Sequence, residues 1–475
     1  MQKNIAIIGG GITGLTSAFA LLQKEQTEPF TFTITLFEQD HRLGGKIQTD
    51  KQQELIMETG PDSMLTRKVN RVPLLRDLGL DKTLIGSGNG TQKTYIVHRG
   101  KLKPIPPGTN MGIPMQIAPF ATTPLLSVGA KIRALGDLLI ARRQDQEDTS
   151  LGHFLRRRFG NELVDHIAEP LMAGIYAGRI DDLSLQATFS QFDDLEKKYR
   201  SLILGSMAQR KAMKASTQKP STRSAFVTVQ GGLATIVDAI TAQIQDRVTI
   251  RLQTTVTAIH REQDASLSVK YRDHEGDASM KFDAVIVTTP TFVTAKLLEP
   301  VSPVARELEA IVYGSTATVM TAFYKKDMPI LDASGFVVPR KEKRAITACT
   351  WISSKWPHSA PPDHVLLRSY VGRSGETEIL SLSDDQIIEK VRTELKALVG
   401  IEATPYFAKV TRWDRAMPQY HVHHLSLVNR VKEDLARRAP TLQLAGAGYL
   451  GLGVPDCIAQ GYEAVDNILN ELNKK

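Results

Sequence analysis

Gly9, Gly11 and Gly14 stand in the spacing G-x-G-x-x-G, between the apolar run Ile5-Ala6-Ile7-Ile8 and an apolar stretch from Ile12 to Leu22. These residue types in that spacing suit a dinucleotide pyrophosphate. The first glycine permits a tight turn, the second lets the pyrophosphate approach the backbone, and the third lets helix and strand pack closely. Gly10, Ile12 and Thr13 complete the loop, where free N–H groups at a helix start would hold phosphate charge. Glu38 ends a second β-branched run, Thr31–Phe37. It lies where a carboxylate can bind ribose hydroxyls, and Gln39 beside it joins the candidate set. A bare strand–turn–helix is the plain alternative, but the context on both sides and the acid beyond favour the dinucleotide.

Downstream, Glu38-Gln39-Asp40-His41-Arg42-Leu43-Gly44-Gly45-Lys46 places an acid, a base and a glycine pair behind that unit. The order resembles the E-x-x-x-R-x-G-G motif of the flavin amine oxidase superfamily, in which FAD fills the groove. The resemblance implies that Arg42 and Lys46 neutralise the pyrophosphate and that Gly44-Gly45 let the backbone pass under the flavin. A glycine turn with solvated charges is the other reading. Near the C-terminus, Leu442 to Asp456 reads as a strand and a glycine-rich turn, followed by a helix from Cys457 to Leu472. Gly446, Gly451, Gly453, Val454 and Pro455 would bring a second helix N-terminus to a reduced flavin, which is negative near N1 and O2.

Elements long enough to position these residues are available. The chain has 475 residues, 42% hydrophobic and 23% charged, enough for several domains around one large ligand. Its two cysteines, Cys349 and Cys457, give neither a disulfide framework nor metal spacing, which points to a reducing compartment. The net charge of +8 favours anionic partners such as polycarboxylates or acidic lipid. No basic-aromatic cluster suggests nucleic acid. The first strand begins within a few residues of Met1, so no signal peptide is expected. The charge-free stretch Pro104–Ala130 carries too many prolines for a membrane helix and reads as a loop over a cavity, with a surface that touches a bilayer as the alternative. The expected location is cytoplasmic, with membrane contact at most peripheral.

The expected fold class is α/β: a Rossmann-type FAD domain, discontinuous in sequence, with an α+β substrate domain and a helical insertion. We place the first FAD-binding part at 1–70, and the hairpin and helical, membrane-facing insertion at 71–207. A polar, basic, mobile loop at 208–224 precedes the second FAD-binding part at 225–290. The substrate sheet occupies 291–412 and the third FAD-binding part 413–475. Strands are expected at 248–252, 256–260, 267–271 and 282–288, and a mostly antiparallel sheet at 317–324, 335–339, 345–351 and 365–371. Arg156-Arg157-Arg158 reads as a solvated helix face, and His421, His423 and His424 as ordinary loop histidines rather than metal ligands.

The segments Gly9–Gly14, Arg42–Ile47, Glu58–Ser63, Glu169–Gly178, Trp413 with Met417–Tyr420, and Gly446–Cys457 occur in this order. Together they resemble the oxygen-dependent porphyrinogen oxidases, most closely the Gram-positive branch acting on coproporphyrinogen III. Ala345–Trp351 and Lys355-Trp356-Pro357-His358 are similar to that branch in particular. The resemblance implies an oxidase with non-covalent FAD that aromatises coproporphyrinogen III to coproporphyrin III, reduces O2 to H2O2 and serves haem biosynthesis. It implies no catalytic side chain beyond the flavin, and transient contact with a ferrochelatase. Gly60, Pro61, Asp62, Ser63, Val256 and Trp413 would join the cofactor site. Lys68, with Arg67 as alternate, would bind a substrate propionate. Arg368 and Tyr370 share one strand face, Tyr370 within reach of the tetrapyrrole; Met172, Gly174 and Ile175 would line the cavity. Protoporphyrinogen IX is the alternative substrate. An amine oxidase, a desaturase, a flavin-free carrier of the same fold and a membrane scaffold are the more distant readings.

Overall fold

Apolar β-branched runs buried on both faces make parallel strands, and five of them form one sheet in the order Val248–Arg251, Thr31–Phe37, Gln2–Ile8, Ala284–Val287, Leu442–Leu444. All neighbours are parallel. The computed structural model describes residues 1–52, 54–88, 93–114, 116–145, 147–215 and 224–474. The strand order reverses between Gln2–Ile8 and Ala284–Val287. A crevice therefore opens at their C-terminal ends, the usual ligand position in such sheets. The helices Ile12–Lys24 and Val454–Leu472 pack together over one face, where Ser17 Oγ donates to the Gly461 carbonyl at 3.2 Å.

A second, seven-stranded sheet runs Phe407–Pro418, Tyr313–Tyr324, His364–Val371, Ala348–Trp351, Gly335–Val337, Tyr95–His98, Lys101–Pro104. Its pairs are antiparallel except Gly335–Val337 against Tyr95–His98. One of its faces buries Val319, Leu367, Val371 and Cys349 with Ile387, Val391 and Leu395 of the helix Asp384–Val399. The strand Phe407–Pro418 runs across the division expected at 412, because Trp413 and Arg412 still pair with Thr316 and Ala317. The expected strand at 282–288 is two pieces: Gly276–Phe282 closes an antiparallel meander, and Ala284–Val287 enters the parallel sheet. Asp283 between them accepts from the Asn4 backbone N–H at 2.8 Å.

The helical unit has its own core, in which Phe154, Phe159, Ile167, Met172 and Phe192 are buried. Within it the triplet Arg156-Arg157-Arg158 is not a solvated face. Arg158 has 0% exposure, and its guanidinium meets Asp137 at 2.8 Å and Glu196 at 2.9 Å. Arg156 is half-buried between Asp165 and Asp181. Three consecutive residues on a helix point in directions about 100° apart, so one face cannot hold them all. The segment expected as a mobile loop at 208–224 begins inside the helix Leu202–Ala215, and 216–223 lie outside the described residues. The proline-rich stretch is likewise not all loop: it holds the helix Ile117–Thr122 and the start of another, Val128–Leu135, capped by the Ser127 hydroxyl.

Candidate active site

The glycine loop sits in the crevice. Gly9 has φ +107°, and a Cβ there would stand 2.6 Å from Thr288 Oγ1, which donates to the Ile8 and Gly9 carbonyls. A Cβ on Gly14 would lie 2.0 Å from the Gly9 carbonyl oxygen, whereas one on Gly11 would meet nothing within 4 Å. Gly11 therefore faces open space beside the N-terminus of Ile12–Lys24, the geometry that admits a pyrophosphate. Ile12 and Thr13 are buried in that first turn.

Glu38 is tied to the loop. One carboxylate oxygen accepts from the Gly10 N–H at 2.7 Å and the other from the Asp40 N–H at 2.9 Å. Each oxygen keeps a lone pair for a further donor. Gln39 is exposed beside it, and the Thr254 N–H donates to the Glu38 carbonyl. That contact brings Val256 near, buried against Phe37. Gly44 N–H donates to the Gly10 carbonyl at 2.8 Å, and a Cβ on Gly45 would press on Gly11 Cα.

Arg42 closes its own loop. Its guanidinium folds back onto the carbonyls of Leu43, Gly45 and Ile47 and stiffens its own loop. Lys46 donates to the Ala416 carbonyl and lies 5.8 Å from the Tyr313 ring. It makes no ion pair among the described residues, and burial lowers its pKa. A desolvated ammonium without a carboxylate partner fits an anionic group in the crevice.

The segment Gly60–Ser63 is held from the second sheet. The Thr59 carbonyl accepts from Trp413 Nε1 at 2.8 Å and from Arg368 at 3.2 Å, and Arg368 also donates to the Gly60 carbonyl at 2.5 Å. Arg368, 4% exposed, thus supports the loop instead of reaching a substrate. Its guanidinium lies 4.9 Å from the Tyr370 ring, so the shared face is as expected. Tyr370 itself is half-buried, its hydroxyl 3.5 Å from Thr350 Oγ1. Pro61 is half-buried in the same loop. Burial alone would raise the Asp62 carboxyl, but Lys355, at 3.0 Å, and Arg368 hold it well below the usual range. Ser63 donates to Asp62 at 2.8 Å.

Glu58 was not among the expected residues. Its oxygens accept from the Leu233 N–H at 2.6 Å and Thr49 Oγ1 at 2.9 Å. Burial raises its pKa to about 7, against those two hydrogen bonds, with Asp62 adding to the rise. The folded protein then holds a proton there that the unfolded chain releases above about 4.5, so the contribution to stability falls as pH rises from about 4.5 to about 7. Relative to Glu58→Gln, the wild type should lose on the order of 3 kcal/mol across that window. Urea unfolding of both proteins at pH 5 and pH 8 measures this. A constant difference between them would mean that the carboxyl ionises normally.

At the C-terminal turn, Tyr420 donates to the Ala447 carbonyl at 2.6 Å and accepts from the Gly451 N–H at 2.9 Å. Gln460 accepts from the Gly446 N–H. Gly453 is the N-cap of the last helix, with Val454 and Pro455 opening it. Lys68 meets Asp456 in that helix's first turn at 2.6 and 2.8 Å, so the candidate anchor already carries a counter-charge; Arg67 is exposed. Gly174 and Ile175 are exposed, and a Cβ on Gly174 would meet nothing within 4 Å. Met172 has no exposed surface and belongs to the helical core, so it does not line a cavity. His424 is not a loop residue: it opens the helix His424–Arg438, stacks on Tyr420 and bonds the Tyr449 carbonyl. Neither Asp456 nor Tyr420 carries a local signal of its role, since their partners lie far away in sequence.

A parallel sheet with a glycine crevice, bordered by a strand-held loop and a second helix N-terminus, defines a flavoprotein oxidoreductase fold. The chain belongs to the flavin containing amine oxidoreductase family, which matches residues 12–469. A flavin cofactor goes with that family. The chain is 40% identical over 473 residues to Coproporphyrinogen III oxidase of Bacillus subtilis (strain 168), covering 99% of both chains. It is 37% identical over 479 residues to the protein of that name from Staphylococcus aureus (strain NCTC 8325 / PS 47), covering 99% of this chain and all of the other. A solved structure from Exiguobacterium sp. 255-15, provisionally described as a protoporphyrinogen oxidase, superposes with TM-score 0.86 at 35% identity, covering 99% of both chains.

Proposed function

We propose that this chain is an FAD-dependent oxidase that aromatises coproporphyrinogen III to coproporphyrin III, with O2 as acceptor and H2O2 as by-product, in haem biosynthesis. The observation that carries this reading is the full-length identity to proteins named for that reaction. When bound, the flavin supplies hydride acceptance from the activated bridge carbons and electron transfer to oxygen. The protein's part is to hold the macrocycle and exclude water. Lys68 binds a propionate, exchanging the Asp456 carboxylate for that of the substrate. Tyr370 packs on the ring system, Ile175 closes the apolar side, and Arg368 and Trp413 keep the Gly60 loop in place. The FAD is non-covalent. Both thiols are buried and held as thiols, Cys457 with its pKa raised to about 11 and Cys349 to about 12, far from the thiolate character that flavin attachment needs.

The enzyme acts in the cytoplasm and touches the membrane at most peripherally. No helix among the described residues is long and apolar enough to cross a bilayer. Val128, Ile132 and Leu139 of the helical unit, 72%, 67% and 82% exposed, are the surface we assign to such contact. A ferrochelatase is the partner that would take the product.

A paired assay tests the reading: coproporphyrinogen III and protoporphyrinogen IX are each supplied in air to the yellow protein, with porphyrin fluorescence followed against an enzyme-free blank. Higher kcat/KM on the four-propionate substrate supports it. Preference for the divinyl substrate assigns protoporphyrinogen IX instead, and activity on neither sinks both. In the same assay Lys68→Ala should raise KM about tenfold while kcat changes little, as expected for a charge-assisted bond made equally in ground and transition states. An unchanged KM would remove Lys68 from the substrate site.

A further inference from the structure

A cleft of about 540 Å3 opens where the hairpin turn of the seven-stranded sheet meets the helical unit. Its volume is that of a small-molecule site. His98 and Arg99 enter from the hairpin, Leu125 and Leu126 from the segment before the helix Val128–Leu135, His166 from the π-helical turn Val164–Ala168, and Lys341 from the turn after Gly335–Val337. The cleft is separate from the flavin crevice. None of the residues that border that crevice lines it.

The walls combine two histidine rings with the cationic groups of Arg99 and Lys341. Glu162, also on the wall, has both oxygens engaged by Ser127, accepting from its N–H at 2.6 Å and its hydroxyl at 2.8 Å. Arg99 is exposed and makes no ion pair among the described residues. Its backbone and that of Gly100 donate to Glu342 at 2.7 and 3.0 Å, which fixes the turn that presents the guanidinium. Lys341 has one partner, Asp165 at 2.6 Å, and that carboxylate is shared with Arg156. The His98 and His166 rings meet edge to face at 5.0 Å, and His166 Nδ1 donates to the Leu125 carbonyl at 3.2 Å.

We propose that this cleft is a second ligand site that takes an aromatic organic anion, its ring against the edges of His98 and His166 and its carboxylate or sulfonate against Arg99 and Lys341. Aromatic edges favour a flat body, and a guanidinium binds an anion through paired N–H donors. The site is independent of which porphyrinogen the enzyme oxidises.

The test is isothermal titration of the FAD-loaded full chain with 1-anilinonaphthalene-8-sulfonate, against its uncharged relative N-phenyl-1-naphthylamine. The sulfonate should bind saturably at one site, and the uncharged dye at least about tenfold more weakly. Arg99→Glu should weaken the sulfonate by at least about tenfold, while Arg430→Glu, at an exposed ion pair elsewhere, should leave it unchanged. The proposal is overturned if the two dyes bind equally, if both variants weaken binding alike, or if Arg99→Glu binds as wild type does. It is also overturned if a wild-type protein with normal flavin absorbance and melting shows no saturable binding.

Discussion

Gly11→Val is expected to yield a folded protein that is purified without its flavin. Gly11 has φ −73° and ψ 178°, a conformation any L-residue adopts, and a Cβ there meets no protein atom within 4 Å. The substitution therefore costs the fold little. The space it fills is the one beside the first helix N–H groups, where a pyrophosphate must approach the backbone. FAD affinity should fall by at least about a hundredfold, or about 2.7 kcal/mol, with the far-ultraviolet circular dichroism of flavin-free wild type retained. Flavin absorbance after gel filtration, and titration of the flavin-free proteins with FAD, measure it. A yellow variant with wild-type affinity would mean that the dinucleotide does not cross this glycine. Gly14→Ala is the contrast. Its Cβ would lie 2.0 Å from a backbone carbonyl, so strand and helix must separate, and that variant should fail in stability before it fails in binding.

Arg158→Met should be the most destabilising single change in the helical unit. The guanidinium is buried, and the two carboxylates it bridges, Asp137 and Glu196, are 0% and 2% exposed. Removing the cation leaves carboxylates in a low-dielectric interior, which typically costs about 3–5 kcal/mol. Glu196 keeps Arg157 and Arg143, but among the described residues Asp137 keeps only neutral donors, the Ser201 hydroxyl and the Ile203 N–H. Those donors start the helix Leu202–Ala215, so its end should loosen with the pair. Arg156→Met, two residues away, should cost about 1 kcal/mol or less. Its side chain is 26% exposed, and Lys341 still covers Asp165. Urea unfolding followed by tryptophan-independent circular dichroism compares the two. Equal, small losses would mean that water reaches the Arg158 site.

The contrast between neighbours in one triplet shows where reading a sequence stops. Arg156, Arg157 and Arg158 are chemically identical and adjacent, and nothing local tells which is buried. Burial is decided by Asp137 and Glu196, 21 and 38 residues away along the chain. Arg368 is a similar case. Alternation on a strand places it beside Tyr370, and the structure agrees, but the Gly60 loop descends onto that face and takes the guanidinium. Met172 reads as a cavity residue, and of the candidates on its helix Gly174 and Ile175 are exposed while Met172 is buried; which side faces the core depends on how the helix is seated.

By itself the sequence determined what backbone chemistry dictates locally. The strand–glycine–helix unit, the acid closing the next strand and the return of apolar runs to a parallel sheet follow from side-chain period and from conformations open only to glycine. Its resemblance to known relatives named the class of cofactor and reaction. The tertiary structure alone decided the pairing of charges, Lys68 with Asp456 across 388 residues and Lys355 with Asp62 across 293, and the burial that raises the Glu58 pKa. The physical reason is one of range. A turn is set by a few neighbouring dihedrals, whereas an ionisable group's partner and its desolvation depend on which distant elements pack over it.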